Sequence, residues 1–242
     1  MIKAILVSFN NVVVKDDRVQ QHLIEQLLIE ENLRPDAAEY RPDCLGRSER
    51  ACLTTLLQRR GRFVTADYLN QLLRKKAKAY QAWLNTLDKP PLYPGFEDLL
   101  FRIKASPYKL ALVAGSQAAE VQAVLTKANL TDAFTVIVTD DDVGQSGGKP
   151  APDGYQAAIA QLNAQAPTLA LNPQDCVAIE DTFVGIEAAK AAGIPVIGVA
   201  HTYPYHMIQR CATWAVDYLT EIDFEWIEQR HGVTVRIAAD SE

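Results

Sequence analysis

A chain of 242 residues with 48% hydrophobic residues can hold one large domain, or a core with a smaller inserted unit, and can bury a real core. Its formal net charge of −6 argues against a broad nucleic-acid-binding face, which needs a basic stripe. No apolar run approaches the ~20 residues that span a bilayer, and Met1-Ile2-Lys3-Ala4 lacks the ordered regions of a secretory leader. A cytoplasmic protein that binds neither nucleic acid nor membrane is expected.

The chain opens on Ile5-Leu6-Val7-Ser8-Phe9-Asn10-Asn11-Val12-Val13, an apolar run ending in two short polar residues spaced one apart. Ala4–Val7, Leu110–Val113, Val136–Val138, Val177–Ile179 and Val196–Val199 read as strands. They are apolar on successive positions, as strands buried on both faces are. Between Lys15 and Pro91 no strand pattern occurs. Val19–Leu33, Ser48–Gly61 and Ala66–Leu84 instead carry apolar residues at helical spacing. Lys89-Pro90-Pro91-Leu92-Tyr93-Pro94-Gly95 is a stiff return linker that cannot continue a helix.

Further on, Ser116 is placed to cap a helix over 117–128, and Asp153 another reaching Leu162. Phe183 to Ala192 is a helix closed by Gly193, with Pro195 beyond. Short strands near Trp214–Val216 and Val233–Ile237 complete the pattern. Strands alternating with helices predict an α/β fold: a doubly wound, Rossmann-like parallel sheet with an inserted all-helical cap. Residues 1–15 and 94–242 form the core and 16–93 the cap. Ser8 and Asn10 then project into the crevice beyond the strand C-termini, where such sheets bind ligands.

Three stretches carry chemistry. Gly147-Gly148-Lys149-Pro150-Ala151-Pro152-Asp153 joins a flexible pair, a cation and two rigid residues ahead of a helix. A nucleotide-binding P-loop is excluded, because Pro150 occupies the position of its magnesium-binding hydroxyl. Glu180 and Asp181 stand just off a buried strand and suit a hard cation such as magnesium; the plainer reading has Asp181 or Thr182 capping the next helix. Gly115 and Ser116 open a helix whose free N–H groups favour an anion.

The remaining features read more simply. Cys44, Cys52, Cys176 and Cys211 form no C-x-x-C pair and are expected to be reduced thiols. Asp140-Asp141-Asp142 reads as a solvated loop held extended by repulsion. Arg59-Arg60-Gly61-Arg62 and Arg74-Lys75-Lys76 read as solvated helix surface, or as a face for an acidic partner or phosphorylated ligand. His201 and His206 read as surface or partner-facing histidines rather than transition-metal ligands.

Gly148-Lys149-Pro150-Ala151-Pro152-Asp153, Glu180-Asp181 followed by Gly185-Ile186-Glu187-Ala188-Ala189, Tyr93-Pro94-Gly95 and Gly46-Arg47-Ser48 together resemble the haloacid dehalogenase superfamily. The likeness is to its branch of β-phosphoglucomutase and small-metabolite phosphatases with a helical cap. The resemblance implies phosphoryl transfer with Mg2+, Lys149 with Gly115 and Ser116 at the phosphate, and Glu180 and Asp181 at the metal. It also exposes departures. The family's nucleophilic Asp and acid/base Asp fall on Ser8 and Asn10, its glycine on Asn11, and its phosphate-binding Ser or Thr on Ala114.

A carboxylate nucleophile is ionised at neutral pH; a serine hydroxyl needs an adjacent base, which an asparagine amide cannot be. The expectation is therefore an inactive pseudoenzyme that binds a phosphorylated small molecule or anion in the cleft, or a protein partner on the cap. Magnesium binding would be weak or absent. The alternative is an active hydrolase of small phosphometabolites with rewired catalysis.

Overall fold

The structure, a computed structural model, describes residues 1–144 and 148–230. The elements run β1 (Ala4–Ser8), α1 (Asp17–Glu30), α2 (Ala37–Asp43), α3 (Glu49–Arg59), α4 (Ala66–Asn85), α5 (Phe96–Lys104), β2 (Lys109–Val113) and α6 (Ala118–Lys127). There follow β3 (Val136–Val138), α7 (Asp140–Val143), α8 (Asp153–Gln165), β4 (Cys176–Glu180), α9 (Phe183–Ala191), β5 (Val196–Val199), α10 (Tyr205–Ile208) and β6 (Trp214–Val216). The predicted strand at Val233–Ile237 lies outside the described residues, as does Gly147.

All six strands are parallel, in the order β3-β2-β1-β4-β5-β6. The order in which strands are added reverses at β1, with β2 and β3 on one side and β4 to β6 on the other, so the ends of β1, β2 and β4 frame the crevice of a doubly wound sheet. Both faces are covered. Ile5, Val7, Leu112 and Ile179 pack with α5 and α6 side chains, including Phe96 and Val124. Ala4, Leu6, Val113 and Ala178 pack with Tyr155 and Ile186 from α8 and α9. This two-sided burial is why the strands read as unbroken apolar runs.

Helices α1 to α4, inserted after β1, enclose a small core of their own, with Leu53, Leu57, Leu69 and Leu73 inside. Two stretches of chain connect them to the sheet and pair with each other: Lys15 N donates to Pro91 O at 2.8 Å, and Tyr93 N to Val13 O at 2.8 Å. Helices α2 and α5 are additional to those read from the sequence. Helix α2 carries Pro42 inside it, and α5 starts at Gly95, whose φ of +84° only glycine adopts readily.

Three expectations are corrected. Cys44 and Cys52 are not free thiols but a disulfide; the end of α2 and the first turn of α3 bring their Cα atoms within 4.5 Å. Cys176 and Cys211 are free. Asp140–Asp142 are not an extended loop but begin the short helix α7. Each carboxylate has its own donor: Gln117 Nε2 for Asp140, Ala118 N for Asp141 and Thr139 N for Asp142, all at 2.7 Å. Lys76, read as solvated, is 1% exposed, because it lies on the apolar stripe of α4 with Leu72, Leu73 and Tyr80.

Candidate functional site

Ser8, Asn10, Gly115, Ser116, Lys149 and Asp181 line one cavity of about 50 Å³. Glu180 lies directly behind Lys149. Lys149 Nζ donates to Ser8 Oγ at 2.9 Å, Glu180 Oε1 at 2.5 Å and Val113 O at 3.4 Å, which uses all three ammonium protons. Glu180 also accepts from Tyr155 OH at 2.6 Å and from Asp181 N at 3.2 Å. Asp181 accepts from Thr202 Oγ1, and burial, then the neighbouring Glu180, holds its carboxyl well above the usual range.

Asn10 is pinned from both ends. Its Nδ2 donates to Asp16 Oδ1 and Oδ2 at 3.1 and 3.3 Å, and its Oδ1 accepts from Ser116 Oγ at 3.1 Å. Ser116 therefore does not cap α6; Gln117 stands at the capping position, and its side chain bonds Asp140 rather than the helix backbone. Asn11 adopts φ +57°, the left-handed region that asparagine tolerates better than most residues. Its side chain donates to Thr202 Oγ1 at 3.2 Å.

The inserted helices close the cavity from above. A Cβ on Gly46 would strike the Thr182 side chain, and one on Gly148 would strike Ser48. Glu49 N donates to Gly115 O at 2.8 Å. Behind this loop runs a buried polar chain that sequence reasoning missed. Tyr80 OH and Gln20 Nε2 both donate to Asp16 at 2.9 Å, and Gln20 also reaches Glu120 at 3.1 Å. Lys76 Nζ bonds Glu120 Oε1 at 2.9 Å and Glu49 Oε1 at 2.5 Å.

Burial pushes Asp16 up to about 6. Burial and Glu120 hold Glu49 well above its usual range. Burial alone would lower Lys76, but Glu120 and Glu49 outweigh it and keep the ammonium charged. Glu49 Oε2 and Gln20 Oε1 are buried with no hydrogen-bond partner, and both residues line the cavity.

Magnesium fits these residues poorly. Among the described residues no cluster of three or more His, Cys, Asp or Glu side chains could hold a metal ion. Position 8 offers a hydroxyl, and Glu180 is bound to Lys149 and Tyr155. His201 is stacked on Tyr93 rather than paired with His206.

A family model for haloacid dehalogenase-like hydrolases matches residues 5–199. The chain belongs to this family. β-Phosphoglucomutase of Bacillus subtilis (strain 168) is 34% identical over 134 residues, 55% of this chain and 54% of its own. The chain spans about half the length of the curated relatives it matches. Among solved structures, β-phosphoglucomutase from Clostridium difficile superposes with a TM-score of 0.80 at 22% identity, covering 97% of this chain and 99% of that one. CbbY from Rhodobacter sphaeroides, in complex with phosphate, gives 0.76 at 23% identity, covering 91% and 96%. At these identities the structures show the fold: a haloacid dehalogenase core of the phosphatase and phosphomutase type. Among the described residues, no helix is long and apolar enough to cross a membrane.

Proposed function

We propose that this chain is a non-catalytic member of the family. Residues 16–93 act as a cap shut over the sheet, and the cavity beneath binds inorganic phosphate, or the phosphate of a small phosphorylated molecule, without transferring it. The observation that carries this reading is the end of β1, where Ser8 and Asn10 are neutral and already engaged. Ser8 has no base. Lys149, its one ionisable hydrogen-bond partner among the described residues, donates to it and to Glu180 rather than accepting a proton. Asn10 can neither give nor take a proton at neutral pH. Where groups acting as one catalytic unit are removed, losses reach the order of a millionfold.

The anion-binding half is better equipped. The N–H groups of Gly115 and Ser116 donate to no protein acceptor among the described residues, and they face the cavity at the start of α6. Arg47 lines the same cavity and forms no ion pair among the described residues. Glu49, whose carboxyl burial and Glu120 hold well above its usual range, lines the same cavity and carries an unpartnered oxygen. A volume of about 50 Å³ has room for roughly four waters. That is the size class of an oxyanion, so a larger phosphorylated ligand requires the cap to lift. Asp181 alone gives magnesium too few oxygen ligands.

The test is phosphate release from phosphorylated sugars and an aryl phosphate, with and without magnesium, beside calorimetric titration with inorganic phosphate. No release above background and phosphate binding weakened in Arg47→Ala are expected. Ordinary turnover that disappears in Ser8→Ala would overturn the reading and establish a rewired hydrolase.

A further inference from the structure

A second cleft shares Asn11 and Asp17 with the first cavity but opens elsewhere, at the hinge. Its volume of about 600 Å³ falls within the ~300–1,000 Å³ of small-molecule sites. Both connecting stretches contribute to it, through Lys15 and Tyr93, together with Arg18 from the first turn of α1, Trp83 from α4, and His201 after β5.

The walls combine flat rings with unneutralised positive charge. His201 stacks on Tyr93 with ring centroids 3.6 Å apart and planes 9° apart. Its Nδ1 lies 2.6 Å from Asn11 O. A carbonyl only accepts, so Nδ1 carries the proton and Nε2 is left as an acceptor. Burial pushes His201 down to about 4, so the ring is neutral at physiological pH. Lys15 and Arg18 are exposed and form no ion pair among the described residues. Lys15 Nζ lies 5.6 Å from the centre of the Tyr93 ring. The carboxylate facing them, Asp17, is hydrogen-bonded to Asn11 and feels the charge of Arg41; Asp16 is buried and turned to Asn10, Gln20 and Tyr80.

We propose that this hinge cleft binds an aromatic ring carrying an anionic group, of the nucleoside monophosphate class. Lys15 and Arg18 take the anion. Trp83 and the edge of the Tyr93–His201 stack flank the ring. His201 Nε2 accepts from an amine on the ring. Such a ligand touches both connecting stretches and the core at once, so its binding is coupled to the position of the inserted helices.

The test is calorimetric titration of the full chain with adenosine monophosphate, adenosine and inorganic phosphate as separate probes. The nucleotide is expected to bind with a Kd below about 1 mM. Adenosine is expected to bind at least about tenfold more weakly than the nucleotide, since it lacks the anion; inorganic phosphate, which the first cavity is proposed to take, is expected to bind Lys15→Ala/Arg18→Ala as well as it binds the unaltered chain. Lys15→Ala/Arg18→Ala is expected to weaken the nucleotide by about tenfold or more. Lys78→Ala, which removes an exposed cation elsewhere on α4, should leave it unchanged. Absence of nucleotide binding, nucleotide binding indifferent to Lys15→Ala/Arg18→Ala, or adenosine binding as tightly as the nucleotide would each overturn the proposal.

Discussion

Replacing Lys76 by Met tests how the inserted helices are held to the core. Lys76 on α4 and Glu120 on α6 are each fully or almost fully buried, at 1% and 0% exposure, and their 2.9 Å bond joins the insertion to the sheet domain. Methionine keeps most of the alkyl volume, so the packing loss is below about 1.5 kcal/mol. The larger effect is electrostatic. Glu120 keeps Gln20 at 3.1 Å as its donor but loses its cation, and breaking a buried pair from one side costs about 3–5 kcal/mol. For a chain of this size that lowers Tm by about 6–20 °C.

The assay is urea and thermal unfolding followed by circular dichroism, on Lys76→Met, Glu120→Met and the double variant. The double variant is expected to recover part of the loss, because Glu120 no longer stands without its cation, although Glu49 still loses Lys76. A Lys76→Met cost under about 1 kcal/mol, or a double variant whose loss is the sum of the two single losses, would refute the reasoning.

Position 10 offers a sharper chemical test. In Asn10→Asp two carboxylates would stand where the amide now lies 3.1–3.3 Å from Asp16, and both cannot ionise at that spacing. Asn10→Asp should therefore lose about 1–3 kcal/mol at neutral pH. In phosphate-release assays Ser8→Asp/Asn10→Asp should stay silent unless Asp16→Asn is added. Stability should also depend on pH. Asp16 and Asp140 are both pushed up to about 6 by burial, so the native state holds protons that the unfolded chain has released, and stability falls as pH rises from about 4 through about 6. His201, lowered by burial from 6.5 to about 4, acts with the opposite sign over nearly the same window, but the carboxylates outnumber it. Urea unfolding should show greater stability at about pH 5 than at about pH 7, and Asp16→Asn should reduce that difference by about 1 kcal/mol. Reducing Cys44–Cys52, which are eight residues apart, with a dithiol should cost about 2.5 kcal/mol in the same assay; an unchanged urea midpoint would count against the bond.

The sheet was readable because burial on both faces leaves a one-dimensional signature, and Ser8 and Asn10 were readable because they follow the first such run. Lys76 was also within reach: it interrupts Leu69, Leu72, Leu73, Ala77 and Tyr80 at helical spacing, and a lone cation on an apolar stripe calls for a buried partner. Its partner, Glu120, lies 44 residues away, and no local pattern points to it. The same limit applies to Cys44–Cys52, whose pairing depends on the angle between α2 and α3. Asp140–Asp142 misled for a different reason. Three like charges in a row repel, but here each carboxylate meets a separate donor that offsets the repulsion.

The altered site is chemically self-consistent. With a neutral Ser8, the Lys149 ammonium would be a buried, unbalanced charge, and burying one without a partner is costly. Glu180 balances it at 2.5 Å, and Tyr155 supports Glu180 from behind. With an amide at position 10, the buried Asp16 gains a donor that a carboxylate could not supply. Asp16 in turn accepts from Tyr80 and Gln20, which lie on the inserted helices α4 and α1. The residues at the end of β1 thus act beyond their own strand. They feed a polar chain that runs from the strand through Asp16 into the insertion, and on to Glu120, Lys76 and Glu49. Introducing a carboxylate pair at Ser8 and Asn10 would disturb that chain at its origin, so in this structure the seating of the inserted helices on the sheet is physically linked to the neutral side chains at these two positions.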